Sequence, residues 1–286
     1  VLLEEVLELV AARPGGIYVD ATLGGGGYTE ALLRATAPSG RVVAFDRDRE
    51  AIEAAKARLE SASDRLSLVW ASFADLDAHL DGLVDGIVAD LGLSSLQLDD
   101  PERGFAFALE GPLDMRFDRS RGLTAADLLN QADERELERI LRDYGDERRA
   151  RAIARRIVSR RPLRTTIDLR RAVVAVLGPR KGVIDPATRT FQAIRIAVNG
   201  ELEALETFLG KAPFRLRAGG RLVVLSYHSL EDRAVKLAFR ARVTGETEGE
   251  GSFRLLTRKP LTAGPAEVAR NRRARSAKLR ALERVA

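Results

Sequence analysis

The sequence predicts an α/β fold: a parallel sheet covered by helices on both faces and interrupted once by an all-helical insertion. Three observations predict it. Apolar, β-prone segments alternate with helical ones over residues 17–91. Strand signals then stop between 99 and 199, where turn-rich sequence gives way to helical stretches. Beyond them the apolar run Leu222-Val223-Val224-Leu225 restores the strand pattern.

The first strand, read over 17–21, runs into Asp20-Ala21-Thr22-Leu23-Gly24-Gly25-Gly26-Gly27, and a helix is expected over 28–35. A second strand over 42–46 ends in Asp46. Glycine lets a backbone approach a ligand closely and take positive φ without a Cβ penalty. An acid at the tip of the second strand accepts both hydroxyls of a ribose. A ribose-bearing ligand is therefore expected across the ends of these strands, with Asp20, Gly25, Gly26, Gly27 and Asp46 around it. The helix read over 48–60 buries Ala51, Ile52, Ala55 and Leu59 on one face. A strand over 66–71, a helix over 75–80 and a strand over 87–91 complete the first part. Apolar strands separated by such helices imply a parallel sheet with both faces covered.

The glycine loop does not fit a dinucleotide. Counting from Gly24, the sixth position of the G-x-G-x-x-G pattern is Thr29; counting from Gly25 it is Glu30, which repels a pyrophosphate. No Gly-Lys-Ser/Thr follows, which excludes a P-loop. Asp20 beside the glycines suits a ligand with a cationic centre and an amino group, and S-adenosylmethionine has both. The alternative is a tight strand-to-helix turn without a ligand, for which four consecutive glycines are costly.

The chain of 286 residues is 45% hydrophobic, enough for one large or two ordinary domains. It has no cysteine, which excludes disulfides and thiolate metal sites and fits a reducing cytoplasm. Its two histidines, His79 and His228, rule out a multi-histidine metal site. No apolar run reaches membrane-spanning length and no signal peptide is recognised. The net charge is +5 and the pI about 9.8. Between 148 and 195 nearly every charge is basic, Arg180 and Lys181 included, with only Asp168 and Asp185 opposed. A second basic cluster spans 270–280. Arginine grips phosphates bidentately, so these clusters read as a nucleic-acid footprint, with a solvated helix face as the alternative.

The insertion leaves after the fourth strand, on the ligand side of the sheet, where it can cover the site. Helices are expected near 125–130, 134–144, 147–160 and 169–177, and weak strands at 253–256 and 277–282. The stretch 245–251, rich in Gly and Glu, reads as a mobile loop. Asp90 closes the fourth strand, where it can accept a hydrogen bond from an amino group being alkylated, or simply cap a turn. Ser226-Tyr227-His228-Ser229-Leu230-Glu231-Asp232-Arg233 reads as one loop after the next strand, with His228 the better functional histidine and His79 a surface one. A Ser-His hydrolase lacks its G-x-S-x-G elbow here. Phe105, Phe107 and Met115 either anchor the insertion to the core or shape a lid over a flipped base. Arg189, Arg195 and Asn199 are placed to point toward substrate.

Seven ordered motifs, spread over essentially the whole chain, resemble the bacterial small-subunit ribosomal RNA (cytosine-N4)-methyltransferase family of the MraW/RsmH type. They are the glycine loop from Asp20 to Gly27, Asp46-Arg47-Asp48, and Asp90-Leu91-Gly92-Leu93-Ser94-Ser95 with Gln97-Leu98-Asp99-Asp100. Gly111-Pro112-Leu113-Asp114-Met115-Arg116 and Thr188-Arg189-Thr190-Phe191-Gln192 follow. The loop from Ser226 to Arg233 and Arg273-Ala274-Arg275-Ser276-Ala277-Lys278-Leu279-Arg280 complete the set. The resemblance implies a class I (Rossmann-like) methyltransferase sheet over 1–99 and 200–286, with the insertion, a candidate RNA-binding or lid domain, over 100–199. It implies S-adenosylmethionine as methyl donor. The acceptor would be N4 of a cytidine in the decoding region of 16S RNA, within an assembled or nearly assembled small subunit. Carried over by position, Gly26, Gly27 and Tyr28 match the cofactor loop, Asp46 the ribose acid, Phe73 the residue beside the adenine, and Asp90 and Gln97 the remaining cofactor contacts. Two positions depart: Tyr28 stands where the family usually has His, keeping a donor but losing a titratable imidazole, and Glu110 stands where Asp is commoner.

The catalytic candidates are thus Asp90, His228 and Asn199, with no metal and no membrane partner expected; a homodimer is left open. Asp90, or the carbonyls of its loop, is expected to hydrogen-bond the N4 amine, localising the lone pair. The base must leave its stack, and Tyr227 or Phe105 is expected to hold it, with His228 at the base or its phosphate. A nicotinamide-dependent oxidoreductase shares the sheet and the ribose acid, but the failed dinucleotide pattern and the basic insertion count against it. A non-catalytic RNA-binding assembly factor would keep the basic patch, whereas the intact loops at Asp90 and His228 argue for turnover.

Overall fold

In the computed structural model residues 1–179, 185–245 and 252–286 are described. Arg180, Lys181 and all of the expected 245–251 loop except Gly245 lie outside them. The strands are β1 (Ile17–Asp20), β2 (Arg41–Asp46), β3 (Leu66–Trp70), β4 (Val84–Asp90), β5 (Leu216–Ser226), β6 (Phe253–Leu255) and β7 (Lys278–Arg284). They form one sheet in the order β3-β2-β1-β4-β5-β7-β6. β1 to β5 are parallel, β7 runs antiparallel to β5, and β6 pairs antiparallel with β7. This is the Rossmann-like sheet the sequence predicts. The chain winds outward from β1 to β3, then returns to lay β4 on the other side of β1. That reversal opens a crevice beyond the carboxyl ends of β1 and β4, the usual place for a ligand in such a sheet.

The chain divides into two compact units, one of Val1–Gly92 with Leu202–Ala286, the other of Leu93–Glu201. In the first, side chains alternate across the sheet. Val19, Ile87, Ala89, Leu222 and Val224 share one core with Phe208 and Phe239. Tyr18, Val42, Val88, Val223 and Leu225 share the other with Leu2, Val6 and Leu32. The helix Leu3–Val10, which lays Val6 and Val10 into the second core, is an addition to the expected elements. So is the helix Glu201–Lys211. The helix expected over 75–80 is a 3-10 helix, Phe73–Ala78, started by the Ser72 hydroxyl accepting from the Ala74 amide.

Among its described residues the second unit carries no strand of the sheet. Its helices Ala125–Gln131, Glu134–Gly145, Ala150–Ser159, Thr166–Leu177 and Thr188–Asn199 enclose Leu129, Leu137, Ile140, Ile153, Leu169 and Ile194. Reciprocal capping boxes at Thr124/Asp127 and Thr165/Asp168 start two of them. Phe105 and Met115 are buried in this same core, so these two side chains anchor the unit. Among the described residues no helix is long and apolar enough to cross a membrane, and no group of His, Cys, Asp and Glu is arranged to hold a metal ion.

Candidate active site

The first unit carries Asp20, the glycine loop, Tyr28, Asp46, Phe73, Asp90 and His228. The Ala21 amide donates to the Val88 carbonyl and the Leu23 amide to the Phe45 carbonyl, so the loop leaves β1 braced by both neighbouring strands. It then turns on Gly24 (φ 47°) and Gly26 (φ 74°), conformations that favour glycine. Gly25 and Gly27 have a different use. A Cβ at either would meet nothing within 4 Å, so their backbone lines open space into which a ligand can come close. The helix Gly27–Ala35 begins there.

Asp46, at the tip of β2, accepts from the Gly24 amide at 2.8 Å and from the Asp48 amide at 2.8 Å. Burial pushes its carboxyl up to about 6, with these amides acting in the opposite direction. A carboxylate oriented by the glycine loop at the end of the second strand has the chemistry to receive ribose hydroxyls. The loop and this acid fit an adenosyl ligand. Phe73 opens the 3-10 helix beyond β3 and stacks edge-on to Phe208, with ring centroids 5.1 Å apart.

Asp20 differs from expectation. It has 0% exposure, its carboxylate accepts from the Thr29 hydroxyl at 2.6 Å and the Thr22 amide at 3.2 Å, and burial raises its pKa. It braces the loop from behind instead of facing a ligand. Tyr28 is buried and donates its hydroxyl to the Val1 carbonyl. Burial raises the pKa of that phenol, so it serves as a donor and not as a titrating group.

Asp90 ends β4, half-buried, and burial pushes its carboxyl up to about 7. Its amide donates to the Thr22 hydroxyl at 2.6 Å, and its Oδ1 accepts from the Tyr227 hydroxyl at 2.6 Å. The second contact was not legible as a motif. It follows from parallel pairing that sets Asp90 opposite Leu225, so the residue two beyond reaches the carboxylate. An acid ending β4 with an aromatic just past β5 is the signal that sequence reading could have used.

The segment 226–233 is not one loop. Its helix starts at Ser229, and His228 is the N-cap, its ring accepting from the Glu231 amide while Glu231 Oε2 accepts from the His228 and Tyr227 amides. His228 Nε2 lies 3.1 Å from Glu231 Oε1, but the alignment does not make a hydrogen bond, and this buried nitrogen has no partner. A histidine so placed organises the turn that carries Tyr227. His79 is exposed, as expected.

The second unit holds two further candidates. Gln97 is buried on the short helix Ser95–Asp99, where its Oε1 accepts from the Ser94 amide in a capping box. Asn199 is only 6% exposed, and its amide is engaged by backbone: Nδ2 donates to the Met115 and Arg195 carbonyls and Oδ1 accepts from the Phe117 amide. Its side chain pins the 115–117 segment to the end of the helix Thr188–Asn199, which corrects the expectation that it points toward substrate. Arg195 likewise is tied to Glu201 by two contacts of 2.7 and 2.8 Å.

The family model described as the MraW methylase family matches residues 1–285 of this chain. The chain is similar to "Ribosomal RNA small subunit methyltransferase H" of Sorangium cellulosum, 51% identical over 293 residues that cover 100% of this chain and 90% of that protein. The protein of the same name from Nostoc punctiforme is 50% identical over 287 residues, covering 100% and 93%. Among solved structures, an rRNA methylase from Streptococcus thermophilus aligns over 97% of this chain and 92% of that one, at 16% identity and a TM-score of 0.43.

Proposed function

This chain belongs to the MraW methylase family and is an S-adenosylmethionine-dependent methyltransferase, and we propose that it methylates N4 of a cytidine in the decoding region of small-subunit ribosomal RNA. The observation that carries the reading is the position of Asp90: an acid at the end of β4, beside the glycine loop, with one carboxylate oxygen fixed by Tyr227. The seven ordered motifs and the small-subunit RNA named for the relatives support the same acceptor.

Bound at the glycine loop and Asp46, S-adenosylmethionine supplies an electrophilic methyl group. The acceptor amine is a poor nucleophile because its lone pair is delocalised into the ring, so positioning carries much of the acceleration. Asp90 accepts a hydrogen bond from the N4 amine, which localises that lone pair, and takes the proton that the methylated nitrogen sheds. A carboxyl that titrates near 7 is matched to taking up and releasing one proton per turnover. The arginines of the second unit supply salt-sensitive affinity for RNA phosphates. The substrate is an assembled or nearly assembled subunit, met in the cytoplasm.

The test is methyl transfer from labelled S-adenosylmethionine to small subunits from cells lacking this protein, followed by nucleoside mass spectrometry. N4-methylcytidine formed only with enzyme is the expected result. Label in another nucleoside, or none despite cofactor binding, overturns the acceptor. Full turnover by Asp90→Asn with unchanged cofactor affinity overturns the role of Asp90.

A further inference from the structure

We propose that Tyr227 is a positioning residue for methyl transfer: it holds the Asp90 carboxylate by one oxygen and thereby presents the other to the amine. This rests on the reading of Asp90 given above. The phenol donates to Oδ1 at 2.6 Å, the length of a charge-assisted O–H···O bond. From the other side the Asp90 amide is anchored on the Thr22 hydroxyl at 2.6 Å. Main chain and carboxylate are therefore both held, and Oδ2 accepts no hydrogen bond from any described residue.

Tyr227 is itself held for this task. Its amide donates to Glu231 Oε2 at 2.8 Å, and Glu231 is buried at the start of the helix Ser229–Thr244, which His228 caps. The His228 cap thus acts on the site through Tyr227, which gives the loop after β5 a role without direct contact with substrate. In the reaction the amine donates one N–H to Oδ2. The nitrogen–carbon bond would form as the sulfonium–methyl bond breaks, its electron pair staying on sulfur in the departing S-adenosylhomocysteine; the proton on nitrogen then passes to Oδ2, and Tyr227 keeps its own proton throughout. Burial and the phenol's attachment to a carboxylate raise the Tyr227 pKa, consistent with a fixed donor.

The hydrogen bond also sets the pH at which Asp90 is ionised. Asp20 on β1 and Glu231 on the helix Ser229–Thr244 face Asp90 and favour its protonated form; the Tyr227 hydroxyl favours the carboxylate. Tyr28, on the helix Gly27–Ala35, stays neutral beside it. Removing the phenolic donor shifts the balance toward the protonated acid, so the ionised form is reached at higher pH.

The experiment compares wild type with Tyr227→Phe, which keeps the ring and loses only the donor. With small subunits as acceptor, kcat/KM is expected to fall about tenfold at pH 7, with the KM for S-adenosylmethionine within about twofold, and most of the deficit is expected to close by about pH 9. A deficit of equal size at every pH, or none, overturns the proposal. Carbon-13 NMR titration of the Asp90 carboxyl in the two proteins is independent of the acceptor: a higher midpoint in the variant is expected, and an unchanged midpoint overturns the proposal. A wild-type enzyme that forms no N4-methylcytidine fails the functional reading, whereas wild-type activity with superimposable pH profiles fails the role of Tyr227.

Discussion

The main-chain amide of Asp90 donates to the Thr22 hydroxyl at 2.6 Å, tying the end of β4 to the loop that leaves β1. One hydroxyl thus couples the segment that fits the adenosyl ligand to the acid assigned to the acceptor. The two halves of the site are set by neighbouring parallel strands rather than by a flexible link.

Asp90 has a cost in the ligand-free protein. Its folded pKa of about 7 exceeds the ordinary carboxyl value of 3.8, so ionising it destabilises the fold. That contribution to stability is intact below about pH 4 and is lost progressively as the pH rises to about 7. Asp90→Asn is therefore expected to melt higher than wild type at pH 8, with the gain shrinking toward zero at pH 4. Scanning calorimetry across this range checks it; a gain that grows on acidification contradicts it.

Gly25 and Gly26 are expected to fail in different ways. Gly25→Ala places its methyl in open space, so its stability should match wild type while S-adenosylmethionine binds at least about tenfold more weakly, as expected when close backbone approach is blocked. Gly26→Ala must hold φ near 74° and is expected to cost about 1–2 kcal/mol. Urea unfolding and cofactor titration on both variants separate the effects.

Asn199 is expected to be structural. Asn199→Ala leaves the Phe117 amide and the Met115 carbonyl without their partner, which should cost about 1–3 kcal/mol. Cofactor affinity should stay within about twofold. A stable variant with abolished turnover would restore Asn199 as a catalytic candidate.

Arg148, Arg151 and Arg160 are exposed in the second unit. If each meets one phosphate, replacing all three with alanine should lower the slope of log affinity against log salt by about 2. Filter binding to ribosomal RNA from low to high salt measures this, and an unchanged slope places the phosphate contacts elsewhere.

By itself the sequence determined the alternation of strands and helices, the glycine loop with Asp46 one strand away, and the loss of strand signals between about 99 and 199. These are local patterns: apolar periodicity, glycine where φ is positive, and an acid at a strand tip. Helix Leu3–Val10 carries Val6 and Val10 on one face with Leu2 just before it, a stripe too short to stand out until tertiary packing buried it. What only the tertiary structure decided is which polar groups meet. Asp20 looked like a ligand contact until Thr29 closed over it, and Asn199 looked free until the 115–117 backbone took up its amide. Tyr227 lies 137 residues from Asp90 in sequence, and its hydroxyl finds that carboxylate only because β4 and β5 pair in parallel register. Buried polar groups must be paired, and the choice of partner belongs to the folded chain.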